Sequence, residues 1–213
     1  MVNENKTDFD KMAAEWDSNP LRVKLANDVA DAIIREIRPT HDMDTLDYGC
    51  GTGLVTLRLQ PFVRSVTGAD SSRGMLEVIQ GKVKSRGLLN VHTQFVDFEH
   101  GGKVEGKFHL AISSMTLHHV QEPADFLKRL CDLLTPGGII GVADLDKEDG
   151  SFHDDNKGAL HFGFDRASLK GLFEKAGFRD IRDVTATTVV KGIEGKPKRE
   201  YPVFLIIGRK WLY

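Results

Sequence analysis

Between Asp44 and Leu145 the apolar pattern changes period repeatedly, and that alternation restricts the fold more than any other property of the chain. Short β-rich runs at "DTLDYG", "SVTGAD", "VHTQFVDF", "FHLAISS" and "GIIGVADL" share this segment with helical patterns over 52–60, 72–86 and 123–134. Strands that alternate with helices bury both kinds of element as right-handed crossovers, which predicts a parallel sheet covered on both faces. Ahead of this region, Asn19 and Pro20 read as an N-cap and first helical residue. Leu25, Val29, Ile33 and Ile37 follow at every fourth position and end near Pro39. "TDFDKMAAEWD" is an earlier helix candidate, with Phe9, Met12, Ala13 and Trp16 on one stripe.

The C-terminal third changes character. Residues 166–177 carry Leu169, Leu172, Phe173 and Ala176 on one helical face and stop at Gly177. "RDIRDVTATTVV" and "YPVFLIIGRK" then flank the turn-forming "KGIEGKPKRE", which predicts an antiparallel pair closing an otherwise parallel sheet. With no repeat, linker or low-complexity stretch, the chain reads as one α/β domain over 1–213, with helices in 1–40 and the core in 41–213.

Composition narrows the partners. A chain of 213 residues that is 40% hydrophobic has the material for a sizeable core. Its 29 basic and 31 acidic residues leave a formal charge of -2, so there is no field to draw nucleic acid or anionic lipid, and a small molecule is the expected partner. The start lacks a basic region followed by an apolar one, and runs such as "VFLII" are too short to span a bilayer, so a cytoplasmic protein without membrane contact is expected. Cys50 and Cys131 support neither a disulfide framework nor a zinc site, and each reads as a reduced thiol.

The chemistry starts at "LDYGCGTGLV". Gly49, Gly51 and Gly53 join the first strand to a helical pattern, which places unpaired helix N-terminal N–H groups beside a backbone that a ligand can touch. Asp70 ends the next strand, seventeen residues beyond Gly53, where a carboxylate can accept both hydrogen bonds of a ribose diol. The third glycine comes one position too early for the dinucleotide pattern, so an NAD-dependent oxidoreductase is the alternative reading and not the first. A binding protein that keeps the nucleoside site without catalysis is another.

"LDYGCGTG" resembles the first motif of class I S-adenosylmethionine-dependent methyltransferases, small-molecule branch, and "VTGADSSRGML", "FVDFE", "AISSMTLHHV" and "LLTPGGIIGVAD" resemble later stretches of that family in order. The resemblance implies a Rossmann-like doubly wound sheet of seven strands, mostly parallel with an antiparallel last strand, plus N-terminal lid helices. It implies S-adenosyl-L-methionine as cofactor, held by Asp47, Gly49, Cys50, Gly51 and Gly53 of the first motif. Asp70 would meet the ribose, with Ser71 and Met75 beside the adenosine, and Asp97, Phe98 and Ser113 complete the set.

A methyl acceptor must be aligned with the donor and kept dry, and a hydroxyl acceptor also needs a base. His118 and His119 follow the fourth strand and His161 sits in the long "DLDKEDGSFHDDNKGALHFGFDR" loop, so these three are the candidate proton acceptors. The same loop supplies Asp144, His153 and Phe162 to an expected acceptor pocket, which Trp16 would border from the lid. The loop matches no metal-ligand spacing, and no metal is expected.

Overall fold

The structure, a computed structural model, describes residues 9–153, 155–192 and 198–212. Seven strands, β1 Asp44–Tyr48, β2 Ser65–Asp70, β3 Val91–Phe95, β4 Phe108–Ser114, β5 Leu134–Leu145, β6 Phe178–Lys191 and β7 Arg199–Lys210, form one sheet in the order β3-β2-β1-β4-β5-β7-β6. The first five are parallel to one another, and β7 runs antiparallel to both β5 and β6. The predicted doubly wound sheet with an antiparallel last strand is therefore present. Half of the predicted hairpin turn, 193–197, lies outside the described residues, while Lys191 still pairs with Arg199 across its base.

The helices are α1 Phe9–Met12, α2 Pro20–Ile37, α3 Leu54–Leu59, α4 Arg73–Arg86, α5 Pro123–Leu133 and α6 Arg166–Ala176. Asn19 caps α2 as expected, its side-chain oxygen accepting from the N–H groups of Leu21 (2.9 Å) and Arg22 (3.3 Å). Arg38 then turns left-handed and ends the helix before Pro39. Val29, Ile33, Val55 and Leu59 pack α2 and α3 on one face of the sheet, and Phe126, Leu130, Leu169 and Phe173 pack α5 and α6 on the other. Cover on both faces leaves four of the five β1 residues and five of the seven β4 residues buried, Thr45 and Asp47 among them.

Two expectations about element boundaries need correction. The described part of the N-terminal candidate is not one helix: α1 ends at Met12 and Ala13–Ser18 tighten into a 3-10 turn. Long-range bonds impose that break. Asp10 accepts from Ser72 Oγ (2.5 Å) and from the Gly74 N–H (2.8 Å), and Asp17 accepts from Thr52 Oγ1 (2.6 Å) and pairs with Lys82. The strand expected to run to Phe98 stops at Phe95, because β3 loses its partner where β2 ends at Asp70, so Asp97 and Phe98 lie in a loop.

Candidate active site

The strand order reverses between β1 and β4, and an open α/β sheet has its ligand crevice at the carboxyl ends of such strands. There the structure has a cleft of about 1520 Å³. Small-ligand pockets run about 300–1,000 Å³, so the cleft has room for two ligands side by side.

The β1 side of the cleft is the glycine loop. All three glycines adopt left-handed φ (+76°, +54° and +84°), but for different reasons. A Cβ on Gly49 would lie 2.1 Å from Oγ1 of Thr116, the residue that arrives from β4 across the switch point. A Cβ on Gly53 would lie 2.5 Å from Ile79 of α4, so Gly53 is a packing glycine and does not line the cleft. A Cβ on Gly51 meets nothing closer than Met75 Sδ at 4.0 Å. At Gly51 the backbone itself is the floor of the cleft.

Asp70 faces this floor. Its Oδ2 accepts from the Gly51 N–H (2.8 Å) and its Oδ1 from the Ser72 N–H (2.9 Å), and each oxygen keeps further lone-pair capacity. Burial pushes its carboxyl above the ordinary value, with the N–H groups of Ser72, Gly51 and Ser71 acting against that. Ser71, Met75, Asp97 and Phe98 line the same end. Phe98 stacks on Tyr48 at 4.2 Å, and its N–H donates to the Tyr48 hydroxyl at 3.2 Å. Tyr48 is a cleft residue that carried no sequence assignment.

Asp47 and Cys50 contribute less directly. The Asp47 carboxyl lines the cleft yet is almost fully buried and accepts from Thr56 Oγ1 at 2.5 Å. Burial lifts it to about 7, and the Asp70 charge adds to the rise against the Thr56 bond. Cys50 is buried with its thiol packed towards Gly68, and burial raises its pKa, so it offers backbone and not a nucleophile. Ser113 is corrected: fully buried within β4, it does not line the cleft, and Ser114, Met115 and Thr116 line it instead. The cleft opens where β4 ends at Ser114, and Ser113 lies one residue short of that end. Met115 carries φ +54°, an uncommon value for a non-glycine residue at the end of a strand.

The second half of the cleft holds the histidines. His118 and His119 sit in a 3-10 turn after β4, and His153 comes from the loop after β5. Their rings cluster, with centroids 4.0 Å apart for His118 and His119 and 5.0 Å for His118 and His153. His118 Nδ1 lies 2.8 Å from Asp144 Oδ1, and Asp144 Oδ2 accepts from the His118 N–H at 3.1 Å. Burial acts to raise the Asp144 carboxyl, but the charge and hydrogen bond of His118, with the N–H groups of Leu145 and His118, hold it below its ordinary value. A carboxylate only accepts, so Nδ1 of His118 is the protonated nitrogen. His119 bonds the Gly158 carbonyl through Nδ1 at 2.8 Å, and burial, then the neighbouring His118, lower its pKa to about 4.

Other expected acceptor residues separate. Trp16 lines the cleft, edge-on to Phe9 and under the Arg22 guanidinium at 4.0 Å, and Phe9 in turn meets His119 at 5.3 Å. His161 is corrected: Nε2 bonds the Val120 carbonyl at 3.0 Å and the ring packs on Phe164, outside the cleft. Phe162 is 43% exposed and also lies outside, since the 147–164 loop folds back on itself through the Lys147–Phe164 and Glu148–Phe162 backbone bonds. Asp144, expected at the substrate, is fully buried behind His118 and does not line the cleft. Among the described residues no group of three or more His, Cys, Asp or Glu is arranged to hold a metal ion, and no helix is long and apolar enough to cross a membrane.

Known proteins share this architecture. A family model described as a methyltransferase domain matches residues 21–182. An uncharacterized methyltransferase of Schizosaccharomyces pombe is 30% identical over 149 residues, covering 63% of this chain and 52% of the relative. A ubiquinone biosynthesis O-methyltransferase of Ruegeria pomeroyi is 28% identical over 146 residues, covering 62% of this chain and 58% of the relative. The matches thus span little more than half the length of these relatives. The solved structure of a SAM-dependent methyltransferase from Aquifex aeolicus shares the fold with a TM-score of 0.70 at 19% identity, over 96% of this chain and 99% of that one.

Proposed function

The chain belongs to the class I methyltransferase-domain family, with S-adenosyl-L-methionine as its cofactor, and from that premise we propose that it methylates a small-molecule acceptor held in the His118 half of the cleft. The observation that carries this reading is the pairing of a bare backbone floor at Gly51 with the Asp70 carboxylate in a cleft large enough for donor and acceptor together. When bound, the cofactor supplies a methyl group on a sulfonium, a centre whose leaving group departs uncharged. The protein residues fit that group: Gly51 leaves space for it, Asp70 retains acceptor capacity for a ribose diol, and Met75 and Phe98 offer apolar contact. Alignment of donor and acceptor in this way supplies on the order of 7–11 kcal/mol of barrier reduction.

A small acceptor is favoured over a macromolecule because residues 9–16 lie across the cleft, with Trp16, Phe9 and His119 in ring contact. Residues 9–40 and the sheet core then act as one functional domain. The two cysteines are buried and free, which supports a cytoplasmic setting as part of the same proposal.

Isothermal calorimetry with S-adenosylhomocysteine and NAD tests the donor half. Binding of the nucleoside thioether and not of NAD is expected, and Asp70→Ala should weaken it tenfold or more. Equal affinity in the variant removes Asp70 from the site. Methyl transfer to a panel of phenols, thiols and amines tests the acceptor half, and transfer confined to protein or nucleic acid would overturn the small-molecule reading.

A further inference from the structure

Two ring nitrogens in the cleft stand out from every other polar atom there. Nε2 of His118 and Nε2 of His153 are both buried, and neither has a hydrogen-bond partner among the described residues. Their rings lie 5.0 Å apart, centroid to centroid, and both residues line the cleft. A buried polar atom without a partner is costly, so two in one place describe a site whose partner is a ligand.

The protonation of His118 is set from behind. Asp144, fully buried at the end of β5, receives Nδ1–H at 2.8 Å, and its other oxygen receives the His118 backbone N–H. With Nδ1 protonated, Nε2 of the neutral ring carries a lone pair. A carboxylate on the far nitrogen also fixes the orientation of the ring. An ionised carboxylate in so dry a place is costly unless it serves its partner.

We propose, on the basis of the methyltransferase reading, that His118 is a general base positioned by Asp144, and that the acceptor is a phenol whose hydroxyl binds between His118 Nε2 and His153 Nε2. The oxygen gives its proton to His118 and accepts from His153. The O–H bond breaks, the N–H bond forms at His118 Nε2, and the electron pair stays on oxygen as the nucleophile. In the full balance the oxygen gains the methyl group, the bond electrons of the donor remain on sulfur, and the proton leaves His118 for water.

The chemistry of the base selects a phenol. A phenol is acidic enough to give up its proton to an imidazole as the methyl group arrives. A water-like hydroxyl near about 16 is out of its reach. An amine attacks through its own lone pair and has no use for a base held dry. The surrounding wall suits an aromatic ring, since Trp16, Met115, Phe152 and Tyr201 line the cleft near the histidines.

Three measurements on the whole protein separate the possibilities. Long-range proton–nitrogen NMR of the ligand-free protein should show His118 as the neutral ring protonated at Nδ1, and Asp144→Asn should move it to a mixture of tautomers. The groups facing His118 are Asp144, His119 and His153, with Lys191 and Glu148 beyond His153, so a His119→Gln background identifies the resonance. With S-adenosylhomocysteine bound, 4-nitrocatechol should bind as its phenolate, its ionisation constant raised tenfold or more, and His118→Gln should abolish that rise. The pH profile of phenol methylation should lose its acidic limb in His118→Gln. A protonated bound probe, an unchanged rise in His118→Gln, or no binding of 4-nitrocatechol to a protein that binds S-adenosylhomocysteine would overturn the inference. Failure to bind S-adenosylhomocysteine would instead overturn the methyltransferase reading beneath it.

Discussion

Asp47→Asn should stabilise the protein at alkaline pH and not at acidic pH, against the usual direction for a buried substitution. The Asp47 carboxyl is almost fully buried between β1 and α3, accepts one bond from Thr56 and lies near the Asp70 charge. Burial, followed by Asp70, lifts it from the ordinary 3.8 to about 7. The folded state therefore keeps a proton that the unfolded chain has released, and stability falls as the pH rises from about 4 through about 7 before levelling off. A gap of about three pH units corresponds to on the order of 4 kcal/mol. Asparagine does not titrate and still accepts from Thr56, while its unpaired amide adds a pH-independent cost of about 1–3 kcal/mol. Urea unfolding of both proteins between pH 4 and 8.5 isolates the effect, because Asp70, Asp144 and the surface carboxylates titrate in both. The difference between variant and wild type should move in the variant's favour by on the order of 4 kcal/mol across that range. A difference that changes by less than about 1 kcal/mol would show Asp47 ionised and solvated in the folded state.

Gly49→Ala should cost about 3 kcal/mol or more by thermal unfolding, from the left-handed backbone and the collision with Thr116, and Thr116→Gly in the same chain should recover part of it. Asp17→Ala removes the bond to Thr52 and the pair with Lys82 that fasten the Ala13–Ser18 turn to the glycine loop and α4, so release of S-adenosylhomocysteine in stopped flow should quicken several-fold. Global stability should change by no more than about 1 kcal/mol in that variant, as the pair is partly exposed. Phe173→Ala empties a fully buried position between α6 and β6 and should cost about 3–5 kcal/mol in urea unfolding, with cofactor affinity unchanged.

The boundary between what the sequence discloses and what it hides follows the range of the interactions. Periodicity and caps are local, and the elements they mark are found: Asn19 caps α2, Gly177 turns left-handed after α6, and the strand runs at 65–70 and 108–114 coincide with β2 and β4. The N-terminal segment could not be read the same way. Its apolar stripe predicts a regular helix, but Asp10 and Asp17 bond to groups 62 and 35 positions away and break it after Met12. His161 and Phe162 misled for a related reason, since loop composition carries no sign that the His161 ring bonds the Val120 carbonyl or that the Phe162 carbonyl accepts from the Glu148 N–H, with both residues outside the cleft.

The His118–Asp144 contact is an intermediate case, and strand order explains why. The residues are 26 positions apart, and alone each is an ordinary polar residue near the end of a strand. Adjacency of β4 and β5 in the sheet changes that, because their parallel register sets Ser114 beside Ala143. The turn that leaves β4 then has to pass Asp144 as it ends β5. The backbone bond from Met115 to the Ala143 carbonyl at 2.8 Å holds the turn against the strand and delivers His118 to the carboxylate. Once a doubly wound order is inferred from the alternating periods, a polar residue after the fourth strand and an acid at the end of the fifth are neighbours by topology. What topology leaves open is burial. The carboxylate becomes a positioning group for His118 because Asp144 is fully enclosed, and no local pattern in the sequence announces that enclosure.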